Sequence, residues 1–201
     1  MGKISKRFFD MIISFTGLIL FLPILILIAI VIKLYDNGPI FYKASRVGLN
    51  GAPFKMYKFR TMIPDADKVG PSSSPKSDVR VTPTGKYLRK HKLDELPQLF
   101  NVLSGKMSII GPRPDEKKFT DMFSVEEKNI LSVKPGITDW ASIQYSNESE
   151  LLDGNDDPDG YYIKYIRPEK LRLQLLYARK HNFFVDLQIF FLTLRKILFK
   201  Y

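Results

Sequence analysis

Residues 89–114 read RKHKLDELPQLFNVLSGKMSIIGPRP, and this stretch decides how the rest of the chain is interpreted. Two adjacent carboxylates, Asp94 and Glu95, directly precede a short segment in which apolar residues recur at helical spacing. Aspartate is a favoured N-cap residue, proline is tolerated in a first helical turn, and Gly105 provides a natural end to a helix. The pattern predicts a short helix with Asp94 at its N-terminus, where free N–H groups and the helix dipole keep a carboxylate ionised.

Basic residues lie on both sides of this carboxylate pair. Arg89, Lys90 and Lys92 precede it, and Arg113 stands between two prolines just after the predicted helix. An ionised carboxylate among fixed cations can bind a metal ion or act as a nucleophile, and such cations suit a phosphate-bearing substrate. The pattern alone also allows two simpler interpretations, a helix cap with a solvated acidic neighbour and a rigid Gly-Pro-Arg-Pro turn.

Composition narrows the class of protein. The 201 residues are enough for one domain with its own core, and there is no internal repeat. The net charge of +10 predicts an anionic partner such as nucleic acid, anionic lipid or a phosphorylated substrate. Because the chain has no cysteine and two histidines, thiolate chemistry is excluded and a multi-histidine metal site is disfavoured. Carboxylates remain as candidate nucleophiles and metal ligands, and their oxygen atoms favour Mg²⁺.

An apolar segment at residues 8–32 predicts contact with a membrane. As a straight helix, residues 11–32 would span roughly 33 Å, enough to cross a hydrocarbon core of about 30 Å, which makes a single-pass anchor one interpretation. However, Pro23 in mid-segment kinks a helix, and basic residues flank both ends. The positive-inside rule is then satisfied if both ends lie on the cytoplasmic side. The second interpretation is a helix that breaks at Pro23 and leaves by the leaflet through which it entered.

Periodicity predicts the remaining elements. Alternating residues at 54–62 indicate a strand with Lys58 and Arg60 on one face, either as a solvated edge or as phosphate contacts. We expect a mobile loop at 64–77, a short strand at 78–82, a helix that begins near Thr84, a solvated helix within 115–132 and an acidic loop at 148–160. Pro168 opens an amphipathic helix. The apolar helix at 183–199 suits an anionic membrane surface, with an ordinary core helix as the alternative.

Four of these motifs resemble the signature of the bacterial sugar transferases, monotopic polyprenyl-phosphate phosphoglycosyl transferases that start membrane glycoconjugate pathways. They are FKMYKFRTM at 54–62, LDELPQLFNV at 93–102, MSIIGPRP at 107–114 and VKPGIT at 133–138. The resemblance covers most of the chain. Two positions depart from the pattern: Leu22 precedes Pro23 where the family has serine, and Gln174 stands where many relatives carry aspartate.

The patterns and the resemblance together predict a mixed α/β, helix-rich single domain with a few short strands. Residues 1–35 would form the re-entrant helix broken at Pro23. Residues 36–201 would form a cytosol-facing catalytic domain with amphipathic interfacial helices at its C-terminal end, and the two parts would make one structural unit. The expected location is the cytoplasmic face of the bacterial inner membrane.

The resemblance also implies a reaction. A sugar 1-phosphate would pass from a UDP-sugar to a polyprenyl phosphate such as undecaprenyl phosphate, with release of UMP and with Mg²⁺ as cofactor. Asp94 would be the nucleophile, and Glu95 would either orient Mg²⁺ or accept a proton from the lipid phosphate; both acids are candidate metal ligands. Four cations would bind the substrate phosphates: Arg113, Arg89, Lys58 and Arg60.

Two other classes of function are compatible with a basic, membrane-bound chain. One is a membrane-tethered nucleic-acid-binding protein, which would need a basic face with interleaved aromatic residues and would have no use for Asp94. The other is a non-catalytic scaffold that recruits glycan enzymes. The carboxylate pair with its cations favours the enzyme. For that enzyme the resemblance implies a UDP-sugar, a polyprenyl phosphate and the phospholipid membrane as partners and no nucleic acid, and it leaves contact with other glycan-pathway enzymes open.

Overall fold

The computed structural model describes the backbone of residues 3–199 and the side chains of residues 4–66 and 68–199. Helices dominate this part of the chain, as predicted. They are α1 (Lys3–Asp36), α2 (Pro83–Lys90), α3 (Gln98–Leu103), α4 (Lys117–Thr120), α5 (Trp140–Gln144), α6 (Glu148–Leu151), α7 (Pro158–Tyr161), α8 (Arg167–Lys180) and α9 (Phe183–Phe199). The strands are β1 (Phe41–Val47), β2 (Pro53–Phe59), β3 (Ser108–Ile110) and β4 (Gly136–Thr138).

The strands form two small sheets. β1 and β2 make an antiparallel hairpin in which Phe41 pairs with Phe59 and Val47 pairs with Pro53. β2 confirms the strand predicted at 54–62, although it ends at Phe59. The strand predicted at 78–82 is wrong, since that segment contributes only an isolated bridge to Met62. Its residues instead close a local turn, in which Asp78 accepts a 3.0 Å hydrogen bond from the backbone N–H of Arg80.

β3 and β4 run parallel, and two glycines let their ends approach closely. Gly111 donates its N–H to Thr138 at 3.0 Å, and Gly136 donates to Pro112 at 2.9 Å. A Cβ atom on Gly136 would lie 2.1 Å from the backbone nitrogen of Gly111, so no other residue fits. This contact fixes where the Gly-Pro-Arg-Pro turn leaves β3.

Helix α1 packs against the rest of the chain in two places. Its first half joins the main core, where Phe9 and Ile13 pack against a buried cluster that includes residues of α3, β3, α8 and α9. Its second half places Leu25, Ile28 and Ile32 in a second cluster with Phe59 and Leu88. Between them the five residues 19–23 are all exposed. Because five residues exceed one helical turn, no face of α1 is covered there.

Polar contacts fasten both ends of α1. The guanidinium of Arg7 donates to the carbonyl oxygens of Val102 and Leu103 at 2.6 and 2.7 Å, at the C-terminus of α3. The ammonium of Lys6 donates to Asp186 in α9 at 2.6 Å. At the other end, Asp36 forms a bidentate ion pair with the guanidinium of Arg60, just after β2. The helix is therefore attached to one and the same body at both of its ends.

Helical structure continues through Pro23, so the predicted break does not interrupt α1. By length and composition, residues 4–36 could cross a membrane. A return to the same leaflet stays a prediction, and so does the division at residue 35.

Helix α9 turns its polar stripe toward the protein. Asp186 is buried and bonded to Lys6 and Tyr177, and Thr193 is hydrogen-bonded to Thr138 at 2.9 Å. Lys196 donates to the carbonyl oxygen of Ile143 at 2.6 Å. Ile189 is buried in the main core, whereas the apolar residues of the opposite face point outward, with Phe184 79%, Phe191 59% and Leu198 72% exposed. The helix itself was predicted; the direction of its two faces was not.

Two loop regions differ from prediction. The expected helix at 115–132 is instead α4 and a 3₁₀ segment, Glu127–Ser132, because Ser124 and Glu127 form a reciprocal capping box that starts a new helix. The acidic stretch 148–160 contains α6 and α7 and holds the 64–77 loop in place. Asp159 accepts a 2.8 Å hydrogen bond from the N–H of Ser73, and Asp153 accepts a 3.0 Å bond from that of Ser77.

We expect Gly136→Ala to lower the free energy of unfolding by about 2 kcal/mol or more, because its methyl group would overlap the Gly111 backbone. Thermal unfolding followed by circular dichroism measures the loss. The matched control is Gly154→Asn, at a left-handed position with open space around it, which asparagine tolerates. An unchanged unfolding midpoint for Gly136→Ala would contradict the close approach of β3 and β4.

Candidate active site

The two carboxylates lie on a single 3₁₀ turn, Leu93–Glu95, directly before α3. Lys92 enters this turn with a left-handed backbone, at φ 56°. Pro97 occupies the N-cap position of α3, and no side chain caps the helix. The prediction that Asp94 caps α3 is therefore wrong. Its side chain is free of the helix end and points into the protein, where it is 6% exposed.

One amide ties the turn to the neighbouring strand. Asn101 in α3 accepts a hydrogen bond from the N–H of Tyr57 and donates one to the carbonyl oxygen of Lys55, both at 2.8 Å. These bonds fasten β2 alongside α3. Because Lys58 follows Tyr57 on the strand, the same contact brings its ammonium to Glu95.

Glu95 is the centre of a partly buried ion cluster. The ammonium of Lys58 donates to Oε1 at 3.1 Å, and Arg113 donates from Nη1 to Oε2 at 3.1 Å and from Nη2 to Oε1. Burial raises the pKa of Glu95, but the charges of Arg113 and Lys58 outweigh it and hold that pKa well below its usual range. Glu95 therefore stays ionised, and both of its oxygens are bonded to these cations.

Asp94 has the opposite surroundings. Its Oδ1 atom is buried and has no hydrogen-bond partner among the described residues. Burial raises the pKa of Asp94, the neighbouring charge of Glu95 adds to the rise, and the cations Lys58, Arg89 and Lys92 oppose it. Two adjacent acids are thus driven apart in pKa, which is how active sites give neighbouring carboxyl groups different roles. Asp94 is the desolvated, more basic and more nucleophilic member.

Arg113 is held in place through its backbone as well. Its N–H donates to the buried carboxylate of Asp139 at 3.2 Å, and Asp139 also caps α5 through the N–H of Ser142 at 2.6 Å. The carbonyl oxygen of Arg113 accepts a hydrogen bond from Gln174 Nε2 in α8 at 3.3 Å. An ionised aspartate at position 174 could not donate this bond, so the departure noted in the sequence has a local use.

Arg89 approaches Asp94 from the last turn of α2. Thr82 caps the start of that helix by accepting the N–H of Gly85 at 3.0 Å. The guanidinium of Arg89 donates to Thr61 Oγ1 at 2.9 Å and to Ser74 Oγ at 2.7 Å, and burial lowers its pKa. It therefore acts on Asp94 as a positioned charge, and it links the site to the 64–77 loop.

The structure brings together five of the six predicted site residues: Asp94, Glu95, Arg113, Arg89 and Lys58. Arg60 is the exception. Its guanidinium is buried and bonded to both oxygens of Asp36 at the end of α1. β2 stops at Phe59, so the strand alternation that placed Arg60 beside Lys58 does not continue to it. The assignment of Arg60 to phosphate stays a prediction, and the contact observed here is its ion pair with Asp36.

The acids also bear on the expected Mg²⁺ ion. Within the part of the chain that is described, no three His, Cys, Asp or Glu side chains are arranged to hold a metal. Both oxygens of Glu95 accept hydrogen bonds from cations. Of the two acids, Asp94 is therefore the one whose carboxylate is free to coordinate a metal ion. Mg²⁺ is commonly held by one or two carboxylates together with substrate phosphates and water. The residues fit the ion on those terms, as part of a complex with a diphosphate.

Comparison with known proteins identifies relatives over nearly the whole chain. A family model described as bacterial sugar transferase matches residues 1–200. A UDP-glucose:undecaprenyl-phosphate glucose-1-phosphate transferase of Klebsiella pneumoniae is 39% identical over 97% of this chain and 40% of its own length. A UDP-N-acetylgalactosamine-undecaprenyl-phosphate N-acetylgalactosaminephosphotransferase of Aeromonas hydrophila is 35% identical over 96% of this chain and 43% of its own length.

A shorter relative matches along most of both chains. The uncharacterized sugar transferase EpsL of Bacillus subtilis is 36% identical over 97% of this chain and 88% of its own length. By contrast, the chain spans about two fifths of the first two relatives.

A double-mutant cycle tests the ion cluster. We expect Glu95→Gln and Arg113→Met each to cost about 2–4 kcal/mol of stability, because each leaves a desolvated charge without its partner. The double variant should lose less than the sum, with a coupling of about 1–3 kcal/mol in chemical unfolding. The control is the exposed pair Lys117–Asp121, at 2.6 Å, for which Lys117→Met and Asp121→Asn should couple by under about 0.5 kcal/mol. Additive effects at Glu95 and Arg113 would mean that the pair is not the centre of the cluster.

Proposed function

The chain belongs to the bacterial sugar transferase family, and we propose that it transfers a sugar 1-phosphate from a UDP-sugar to a polyprenyl phosphate, with release of UMP. One observation supports this most directly. Asp94 is a buried carboxylate with an unpartnered oxygen and a raised pKa, set among cations. Such a group is suited to attack an anionic phosphate, which a solvated carboxylate does slowly.

In the proposed first step, a carboxylate oxygen of Asp94 attacks the phosphorus atom that carries the sugar. A bond from that oxygen to phosphorus forms, and the bond from phosphorus to the bridging oxygen of the diphosphate breaks. The electron pair leaves with UMP. The product is a mixed anhydride, an aspartyl phosphosugar, which stores the sugar phosphate on the protein until the lipid arrives.

Charge repulsion is the main barrier to this step, because an anion must approach a diphosphate. Arg113 and Lys58 are hydrogen-bonded to Glu95, and the charge of Arg89 lies close enough to affect the pKa of Asp94. These cations would turn toward the phosphate oxygens and offset the repulsion. Bound Mg²⁺ would supply further charge neutralisation, held by Asp94 and Glu95 with the diphosphate oxygens.

In the proposed second step, the phosphate of the polyprenyl lipid attacks the same phosphorus atom, and the bond to Asp94 breaks. The depressed pKa of Glu95 makes it a poor proton acceptor while Arg113 and Lys58 hold it. We propose that its first role is to keep those two cations in place. When a phosphate draws them away, the pKa of Glu95 rises and the carboxylate becomes free to take a proton or to bind Mg²⁺.

A lipid acceptor requires a site at a membrane surface, and we propose the cytoplasmic face of the bacterial inner membrane. The exposed apolar residues 19–23 of α1 and the outward apolar face of α9 support this placement. The contacts at both ends of α1 support re-entry rather than crossing, since both ends are fastened to one body. If α1 crossed the membrane, the polar domain bonded to both of its ends would have to enter the hydrocarbon core.

The nucleophile is tested by labelling. Wild-type protein given UDP-sugar labelled in the sugar, without lipid, should release UMP and acquire label. Asp94→Asn should acquire none and lose at least about 1,000-fold in turnover, because an amide does not form the anhydride. Glu95→Gln should turn over slowly and still acquire label. The matched control Asp121→Asn, on the exposed surface, should behave as wild type.

Two results would contradict the covalent route. One is substantial turnover by Asp94→Asn. The other is wild-type protein that releases UMP only when lipid is present and never carries label. Direct attack by the lipid phosphate would then be the better mechanism, with Asp94 as a ligand of Mg²⁺.

Membrane placement is tested with accessibility tags at the N-terminus and at Asn50, in the turn between β1 and β2. In intact cells and in spheroplasts, both tags should be accessible only to a reagent on the cytoplasmic side of the membrane. Pro23→Leu should restore the helical hydrogen bond that proline removes and move the N-terminal tag toward the other side. Tags reached from opposite sides in the wild-type protein would show that α1 crosses the membrane.

A further inference from the structure

Two buried amide side chains lie on α3, and only one of them has partners. Asn101 is paired at both ends with the backbone of β2. Gln98 is 0% exposed, and neither its Nε2 nor its Oε1 atom has a hydrogen-bond partner among the described residues. The first amide holds the fold together. The second costs stability as the structure stands.

That cost calls for an explanation. A buried amide without partners loses its hydrogen bonds to water and gains none from the protein, and native structures keep few such groups. An apolar side chain of the same shape would suit the site better. Groups that lower the stability of a fold are concentrated at functional sites, where a ligand or an intermediate supplies the missing partner.

The position of Gln98 indicates which partner that is. Asp94 lies on the 3₁₀ turn Leu93–Glu95 and Gln98 begins α3, and the backbone between them stays right-handed helical through Leu96 and Pro97. Asp94 and Gln98 are four residues apart along this helical backbone, a separation that allows two side chains to approach each other. Asp94 Oδ1 is likewise buried and unpaired, so the 6% exposure of Asp94 lies on its other atoms. An amide donor without an acceptor thus lies one turn from an acceptor without a donor.

We propose that Gln98 is a positioning residue for Asp94 in the covalent intermediate, an inference that rests on the proposed function. The exposed oxygen of Asp94 bonds to phosphorus, and the buried Oδ1 becomes the carbonyl oxygen of the mixed anhydride. Gln98 then donates from Nε2 to Oδ1. This hydrogen bond fixes the anhydride with its phosphorus atom toward the open side of the site.

The bond matters most when the intermediate is consumed. The lipid phosphate oxygen bonds to phosphorus, the bond from phosphorus to Asp94 breaks, and its electron pair returns to the carboxylate. Negative charge grows on Oδ1 during this step, and hydrogen bonds strengthen as their acceptor becomes charged. Gln98 therefore makes the Asp94 carboxylate a better leaving group. Its loss slows transfer to lipid more than it slows formation of the intermediate.

Gln98→Met tests this with two independent readouts. It removes the amide and nearly keeps the volume, so the unfolding midpoint should rise by about 2–4 °C in place of the usual fall. Label from the UDP-sugar should appear to the wild-type extent without lipid. On addition of polyprenyl phosphate, the labelled protein should discharge at least about tenfold more slowly than wild type.

Two matched controls frame the result. Asn101→Leu should lower the midpoint, because it leaves the backbone groups of Tyr57 and Lys55 unpaired. Gln188→Met, at an exposed position of α9, should change neither the labelling nor the discharge.

The proposal is overturned if Gln98→Met discharges at the wild-type rate, or if it loses stability and slows both half-reactions equally, as a structural residue would. Failure of the proposed function looks different, since wild-type protein itself would then never carry label. A higher midpoint together with slow discharge of a normally formed intermediate supports the positioning role.

Discussion

A carboxylate that is largely shielded from water has to be matched by the cations around it, and in this chain that carboxylate is Glu95. The match draws three separate segments to one point: β2 through Lys58, the 3₁₀ turn through Glu95 itself, and the Gly-Pro-Arg-Pro turn through Arg113. Two of these segments are held by further hydrogen bonds, β2 by Asn101 and the Gly-Pro-Arg-Pro turn by Asp139. Because Glu95 takes the hydrogen bonds of the cations, Asp94 experiences their charge and keeps an unpaired oxygen. The inequality of two neighbouring acids follows from this one cluster.

The sequence predicted those parts of the site that depend on local pattern. Alternation identified β2, and helical spacing with Gly105 identified α3, which ends at Leu103. The resemblance to a family gave the acid pair and Arg113 their importance. Asn101, Asp139 and Gln98 were not assigned roles, since the first two join segments 44 and 26 residues apart and the third is notable only for partners that it lacks.

Where prediction failed, a competing local interaction had prevailed. Arg60 follows the alternation of β2 on paper, yet the strand ends one residue earlier and the end of α1 supplies Asp36 as its partner. Asp94 is placed correctly for an N-cap by sequence, but the left-handed Lys92 starts a 3₁₀ turn that carries it inward. The alternation at 78–82 gave way to the contact of Asp78 with Arg80. None of these contacts is marked by periodicity.

The attachment of α1 has a consequence for how the chain is made. Within this chain α1 is synthesised before the groups that receive Arg7 and Lys6, which lie at residues 102–110, 177 and 186. Until those residues are made, Lys6 and Arg7 lack these partners and the apolar faces of α1 lack their protein cover. Such a helix needs an apolar environment until the later residues are made. The remainder of the protein then has to fold against a helix that is already inserted in that environment. The surroundings of Asp94 are therefore completed after α1 has reached an apolar environment, so the site forms at the place where the helix has inserted.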